Sequence, residues 1–111
     1  MGEAEILDRL FGVIEARRSE RPQNSYVVKL LDGGLEAIAA KVREEADEAI
    51  EAVAMGDPEQ TAREVADLLF HTWVLLVSSG VKPAEVYAVL EERFGRSGLE
   101  EKAARSASDA G

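Results

Sequence analysis

The fold of this chain is decided by residues 65–77, which read Val-Ala-Asp-Leu-Leu-Phe-His-Thr-Trp-Val-Leu-Leu-Val. A segment that is apolar on nearly all sides predicts a helix that is buried on most sides. Its only ionisable side chains are Asp67 and His71. A buried carboxylate must be protonated, paired or bound to a cation, because removing an isolated charge from water is costly. The stretch therefore predicts a core helix that carries a functional acid.

The rest of the chain also follows a helical period, which predicts an all-α fold. The predicted helices span about residues 4–19, 26–31, 35–55, 59–79 and 83–94. The short link Gly56-Asp57-Pro58 predicts that the two longest helices pack antiparallel, with Asp57 as the N-cap of the second. We expect one domain over residues 1–111, with about 4–105 ordered and 106–111 frayed.

A monomer of 111 residues has a modest core, so we expect an antiparallel bundle of four to five helices that a homodimer completes. In the helix over residues 59–79, Phe70, Trp73, Val74 and Val77 face away from Val65, Leu69, Thr72 and Leu76. One face can pack inside the subunit and the other against a partner. The apolar face predicted for residues 35–55 contains Leu35, Ile38, Ala39, Val42, Ala46, Ala49, Ile50 and Val53.

The composition excludes several classes of protein. The 111 residues include 13 Lys and Arg against 22 Asp and Glu, which gives a net charge of −9. The chain has no block of basic residues that could neutralise the phosphates of a nucleic acid. No cysteine is present, so disulfides and Cys-ligated metals are excluded. No apolar run reaches the roughly 18–20 residues of a membrane span, and the N-terminus lacks a signal-peptide pattern. We therefore expect a cytoplasmic protein that binds neither nucleic acid nor membrane.

The acidic residues of the two long helices form matching pairs. Glu45 and Glu48 are three residues apart, about 60° around the helix axis, and Glu44 adjoins them. Glu64 and Asp67 repeat the spacing on the next helix, and Glu48 and Glu64 each lie about two turns from the link. The pairs can therefore face each other. Converging carboxylates predict a hard divalent cation, Mg²⁺ or alternatively Mn²⁺.

These acids have two other interpretations. A di-iron bundle requires Glu-x-x-His pairs on two helices. In this chain the residue three positions after Glu64 is Asp67, and His71 lies one helical turn beyond that position. His71 is therefore predicted to be a hydrogen-bonded core residue that supports the site rather than a ligand. The simpler alternative is that the glutamates form a solvated helix face.

The acid spacing Glu44-Glu45-x-x-Glu48 and Glu64-x-x-Asp67 resembles the all-α nucleoside-triphosphate pyrophosphatase superfamily, which includes MazG-like enzymes and dimeric dUTPases. Further segments look like its phosphoribosyl-ATP pyrophosphatase branch, and the similarity covers about residues 4–105. The most specific of them is Arg96-Ser97-Gly98-Leu99-Glu100-Glu101-Lys102. The others are Ser25-Tyr26, Leu35, Lys41-Val42, Glu44-Glu45-Ala46 and Ala66-Asp67-Leu68-Leu69-Phe70-His71.

This resemblance implies Mg²⁺-dependent hydrolysis of phosphoribosyl-ATP to phosphoribosyl-AMP and pyrophosphate, the second step of histidine biosynthesis. It also implies that Mg²⁺ binds through these acids, and the ligands we expect are Glu45, Glu48, Glu64 and Asp67. Glu44 and Glu45 are the candidate catalytic residues, and Glu44 would hold a second ion or orient the attacking water. Which acid acts as the base stays open.

An acidic protein needs cations to hold a polyphosphate substrate. Lys41, one turn before Glu45, is a predicted phosphate contact, although a salt bridge to Glu45 is an equal alternative. Arg96 and Lys102 are the predicted phosphate contacts of a basic tail that also includes Arg93 and Arg105. Gly95 and Gly98 suit an arm that closes over substrate, in its own subunit or across a dimer.

Two alternative functions are compatible with these residues. The first is a MazG-like or dUTPase-like pyrophosphatase that acts on another nucleoside triphosphate, because such enzymes share the acids and differ in the pocket for the base. The second is a helical dimerisation module without activity, whose acids would be surface residues. That alternative predicts no stabilisation by Mg²⁺.

Overall fold

The computed structural model describes residues 5–94, which form five helices and contain no strand. The helices are α1 Glu5–Glu20, α2 Tyr26–Asp32, α3 Gly34–Ala54, α4 Pro58–Ser79 and α5 Pro83–Phe94. The prediction of an all-α chain is therefore confirmed over this range, whereas the homodimer stays a prediction. The structure divides after Gly80 into two compact units, the first with α1 to α4 and the second with α5.

Side-chain caps and glycines set the limits of the helices in the first unit. Ser25 Oγ accepts a hydrogen bond from the Val28 amide at 3.2 Å and so begins α2. Asp57 Oδ1 accepts from the Gln60 amide at 3.0 Å and caps α4, as the sequence predicts. Gly80, with φ of +80°, ends α4 in a left-handed conformation that glycine adopts without steric cost.

The core of the first unit lies between the α3–α4 hairpin and the shorter helices α1 and α2, which contact it. Because the link between α3 and α4 is only three residues long, the two helices run antiparallel and pack side by side. The Trp73 ring is buried, and its Nε1–H group donates a hydrogen bond to the Leu7 carbonyl at 2.8 Å. This bond ties α4 to α1. The buried apolar residues of this unit are Phe11, Ile14, Val27, Leu30, Ile38, Ala49, Ala52, Trp73, Val74 and Val77.

Within the first unit, one side of the α3–α4 hairpin carries exposed apolar residues, which corrects one sequence prediction. Leu35, Ile50 and Val53 belong to the predicted apolar face of α3, yet all three are exposed. On α4, Val65 is 40% and Leu69 38% exposed, so the prediction that this helix is buried on most sides is wrong for one protomer. The reason is that α1 and α2 pack on the opposite face of the hairpin, where the buried core residues lie.

The second unit is described through α5 alone. The Lys82 amide donates to Glu85 Oε2 at 2.9 Å, and Pro83 occupies the first helical position. Arg93 lies in the last turn, where a cation interacts favourably with the helix dipole. The predicted turn over residues 96–102 and the predicted fraying of 106–111 lie outside the described residues. Among residues 5–94, no single helix combines the length and apolar character needed to cross a bilayer.

Candidate metal and phosphate site

The hairpin brings three glutamates of the two acid pairs together. Ligand oxygens of Glu45 and Glu48 on α3 and of Glu64 on α4 all lie within 4.8 Å of one another. Glu48 lies six residues before the end of α3 and Glu64 six residues after the start of α4, so antiparallel packing places them side by side. We call these three residues the glutamate cluster.

The glutamate cluster has unsatisfied oxygens. Glu45 is only 6% exposed, and its Oε2 atom has no hydrogen-bond partner within residues 5–94. Glu64 Oε2 is likewise buried without a partner there. Leaving a buried charged acceptor unpaired is costly, so such atoms call for an explanation such as an ion. Carboxylate oxygens from three side chains that converge on one point are the donor set that Mg²⁺ or Mn²⁺ prefers, and the residues therefore fit the implied cation.

The close approach of the glutamates changes the acidity of Glu48. Its pKa is raised to about 7, first because protonated Glu48 can share a hydrogen bond with Glu64. Desolvation and the negative charge of Glu45 raise the pKa further. Without a cation, the cluster therefore holds a proton near neutral pH, and a divalent ion would take the place of that proton.

Lys41 lies at the edge of the cluster and pairs with two acids. Its Nζ atom is 3.3 Å from Glu44 Oε2 and 3.8 Å from Glu45 Oε1. The hydrogen bond to Glu44 raises the pKa of Lys41, and the neighbouring carboxylates add to this effect. The ion pair that the sequence offers as an alternative is thus formed in the ligand-free protein. Glu44 itself is exposed and lies outside the glutamate cluster.

Asp67 and His71 lie beside the cluster on α4. Asp67, the fourth predicted ligand, is exposed and does not belong to the group of oxygens within 4.8 Å. The buried His71 ring has its Nδ1 atom 2.7 Å from the Asp67 carbonyl oxygen. Its other nitrogen, Nε2, lies 2.7 Å from the hydroxyl of Tyr26. The structure therefore places His71 in a hydrogen-bonded chain next to Asp67, outside the glutamate cluster.

Two residues near the site were not singled out from the sequence as functional. Tyr26, the first residue of α2, reaches α4 through His71 and stacks on Phe70 with ring centroids 6.2 Å apart. Gln60 donates from Nε2 to Glu64 Oε1 at 2.5 Å and so orients that carboxylate. The sequence signals for Tyr26 are its position directly after the cap Ser25 and its place in the family-like segment Ser25-Tyr26. The signal for Gln60 is its spacing of one turn from Glu64.

Of the predicted basic tail, Arg93 alone lies within the described residues. Arg96, Lys102 and Arg105 lie outside the described residues, so their role as phosphate contacts stays a prediction. Arg93 is exposed in the last turn of α5, in the second unit. Among the predicted phosphate contacts, the structure therefore positions Lys41 alone relative to the acids.

The family model and the relatives that match this chain all belong to one family. A family model described as phosphoribosyl-ATP pyrophosphohydrolase matches residues 7–94. A phosphoribosyl-ATP pyrophosphatase of Parvibaculum lavamentivorans is 52% identical over 103 residues, which cover 93% of this chain and 94% of that protein. Proteins of the same name from Rhodopirellula baltica and Rhizorhabdus wittichii are 46% and 50% identical, over 91% and 89% of this chain and 87% and 93% of their own lengths.

Proposed function

Since the chain belongs to the phosphoribosyl-ATP pyrophosphohydrolase family, whose members are hydrolases that act on a pyrophosphate bond, we propose that it hydrolyses phosphoribosyl-ATP to phosphoribosyl-AMP and pyrophosphate. The reaction would depend on Mg²⁺ and form the second step of histidine biosynthesis. The observation that carries this proposal is the match to relatives of that name over nine tenths of both chains. The glutamate cluster supports it, because it offers the oxygen donors that a polyphosphate-binding cation needs.

The proposed ligands of Mg²⁺ are Glu45, Glu48, Glu64 and Asp67. Three of them already converge, and Asp67, one turn after Glu64, would join them by a change of side-chain rotamer. When bound, Mg²⁺ would neutralise phosphate oxygens and the negative charge that develops on the leaving pyrophosphate. Mn²⁺ accepts the same donors and is a possible substitute.

Side chains around the cluster would bind the phosphates and orient the attacking water. Lys41 would move from its contacts with Glu44 and Glu45 to a phosphate oxygen, which offers an ammonium group the same kind of charged acceptor. Glu44 and Glu45 are the proposed catalytic residues, whose carboxylates would orient a water molecule or accept its proton. Arg96 and Lys102 are proposed as further phosphate contacts, and His71 as a support for Asp67.

The assembly and the location of the protein are also proposals. We infer a homodimer, because one side of the α3–α4 hairpin exposes apolar residues in the first unit and a second copy offers a matching surface. We infer a cytoplasmic enzyme with a small nucleotide as its partner, in keeping with a biosynthetic role. No nucleic-acid or membrane partner is proposed for a chain of net charge −9.

The test is a pyrophosphate-release assay with phosphoribosyl-ATP and a panel of nucleoside triphosphates, with and without Mg²⁺. The proposal expects Mg²⁺-dependent turnover of phosphoribosyl-ATP far above that of the panel, and a loss of at least about 100-fold in kcat for Asp67→Asn. Asp47→Asn, on the exposed surface of α3, is the matched control and should keep full activity. Preference for another triphosphate would favour the MazG-like or dUTPase-like alternative, and absence of turnover would favour the dimerisation module.

A further inference from the structure

Asp57 ends one helix of the α3–α4 hairpin and begins the next. Its main-chain N–H group donates to the Ala52 carbonyl at 3.2 Å, and the Gly56 N–H group donates to the Val53 carbonyl at 3.0 Å. Together with the φ angle of +69° at Gly56, these two bonds form a Schellman motif that closes α3. The Asp57 side chain caps α4 through the Gln60 amide. The main-chain N–H group of the cap residue is therefore already used by α3.

The double use of Asp57 releases the side chain of Gln60 from capping. The segment Asp57-Pro58-Glu59-Gln60 has the spacing of a capping box, in which the residue three positions after the cap reaches back to the N–H group of the cap residue. Because that group donates to Ala52, the Gln60 side chain is not needed there. It extends toward the next turn of α4 and donates from Nε2 to Glu64 Oε1 at 2.5 Å.

The bond from Gln60 gives the two oxygens of Glu64 different surroundings. An ionised carboxylate can only accept, so the amide nitrogen of Gln60 is the atom that faces Oε1. The second oxygen, Oε2, is buried and has no partner among residues 5–94. Burial and the like charges of Glu45 and Glu48 favour a rotation that would turn Oε2 toward water. The hydrogen bond to Oε1 opposes that rotation.

A second pair at the start of α4 has the same spacing but different surroundings. Arg63 Nη2 lies 3.2 Å from Glu59 Oε1, and the two side chains are 68% and 81% exposed. Exposed pairs of this kind contribute little to stability. The Gln60–Glu64 bond differs because its acceptor belongs to the glutamate cluster and has a buried oxygen. It therefore acts on a group of the candidate metal site.

We propose that Gln60 is a positioning residue that holds the Glu64 carboxylate in place for a divalent cation and so increases the affinity of the glutamate cluster for Mg²⁺. This inference rests on the proposed function. A carboxylate that is already held in place needs no further ordering when the cation binds, and such preorganisation increases affinity. Because the Gln60 amide is neutral, it orients the carboxylate without adding a positive charge that would repel the cation.

The test compares Gln60→Met with the wild type by calorimetric titration with Mg²⁺. Methionine is also unbranched and forms helices about as well as glutamine, but it cannot donate to Glu64. The affinity for Mg²⁺ should decrease about tenfold, as is typical when a hydrogen-bond partner of a metal ligand is removed. Pyrophosphate release from phosphoribosyl-ATP should need about ten times more Mg²⁺ for half of the maximal rate, with kcat at saturating Mg²⁺ changed by less than about twofold.

Thermal melts of the ion-free proteins separate positioning from a general loss of structure. A single side-chain pair one turn apart contributes little to helix stability, so Gln60→Met should lower the ion-free Tm by less than about 4 °C. Thr61→Val is the matched control, because it removes a neutral donor at the neighbouring position, whose bond of 2.7 Å goes to the Asp57 carbonyl. It should leave the affinity for Mg²⁺ unchanged.

The possible failures are distinguishable. Equal affinity of Gln60→Met and the wild type for Mg²⁺ would overturn the positioning role and leave the proposed function intact. The same would follow if Thr61→Val lost as much affinity, because a general disturbance of the first turn of α4 would then explain both variants. A wild type that neither binds Mg²⁺ nor releases pyrophosphate from phosphoribosyl-ATP would overturn both the positioning role and the proposed function.

Discussion

Glu45 is the residue at which burial and charge conflict most strongly. Its carboxylate is almost fully buried, its Oε2 atom has no hydrogen-bond partner in the described part of the chain, and Glu48 and Glu64 crowd it with like charges. The Lys41 ammonium at 3.8 Å is its one oppositely charged contact among residues 5–94. A bound cation should stabilise this arrangement, because the cation adds the missing opposite charge.

Replacing Glu45 by Gln should therefore separate stability from metal binding. The ion-free variant should be as stable as the wild type or up to about 1 kcal/mol more stable, because the substitution relieves repulsion. Wild-type protein at 100 times the Kd for Mg²⁺ should gain about 2.7 kcal/mol, and the variant should gain almost none. Thermal melts with and without Mg²⁺ measure both effects, with the exposed Glu51→Gln as control. A full Mg²⁺ response in Glu45→Gln would remove Glu45 from the site.

Glu48 should make the stability of the ion-free protein depend on pH. Because its pKa rises from an ordinary 4.5 to about 7 on folding, the folded state binds this proton more tightly than the unfolded chain. The contribution of the group is therefore fully present below pH 4.5 and is lost as the pH rises through 7. Urea unfolding at several pH values should show this decline in wild type and a flatter profile in Glu48→Gln.

Mg²⁺ binding should show the opposite dependence on pH, because the cation must displace the proton on Glu48. Its affinity should increase as the pH rises toward about 7 and level off above that value. Calorimetry in buffers of different ionisation enthalpy should detect more protons released at the acidic end of this range. An affinity that stays constant across the range would show that the Glu48 proton is not linked to cation binding.

The α3–α4 hairpin brings the acidic residues of two helices together into one site. The Gly56-Asp57-Pro58 link and the two acid pairs are visible in the sequence, and equal distances from the link suffice to predict that Glu48 meets Glu64. Spacing does not specify rotamers, so it cannot place the Asp67 carboxylate relative to the cluster. It also cannot reveal Tyr26, because its bond to His71 joins residues 45 apart in the chain and depends on how α2 packs.

Removing the cap of α4 should weaken this element without touching the acids. Asp57→Ala leaves the Gln60 amide without its side-chain acceptor and should cost about 1 kcal/mol of unfolding free energy. In a domain of this size the loss corresponds to a decrease of roughly 4–8 °C in Tm. Denaturant unfolding measures the change, and Asp47→Ala in the exposed middle of α3 is the control, which should not destabilise. Equal stability of both variants would show that the cap contributes nothing.

At the scale of the whole molecule, the sequence shows which helix positions are apolar. It does not show which other elements bury them. Helical periodicity identifies the apolar positions of α3 and α4, yet within the first unit the buried side is the one that α1 and α2 reach. Ile50 and Val53 on α3 remain 67% and 63% exposed. Exposed apolar side chains on one side of a hairpin favour association. The proposed homodimer would bury it through a two-fold contact of the two hairpins.

Charges placed in this patch should dissociate the proposed dimer. Ile50→Glu combined with Val53→Glu would put two carboxylates into an apolar interface, and each would lose water without gaining a partner. We expect the wild type to sediment as a dimer at micromolar concentration and the double variant as a folded monomer with an unchanged helical circular dichroism spectrum. Ile6→Glu on α1 is the control, because Ile6 is also exposed but lies on another helix. A wild type that sediments as a monomer, or a double variant that remains dimeric, would exclude this face as the interface.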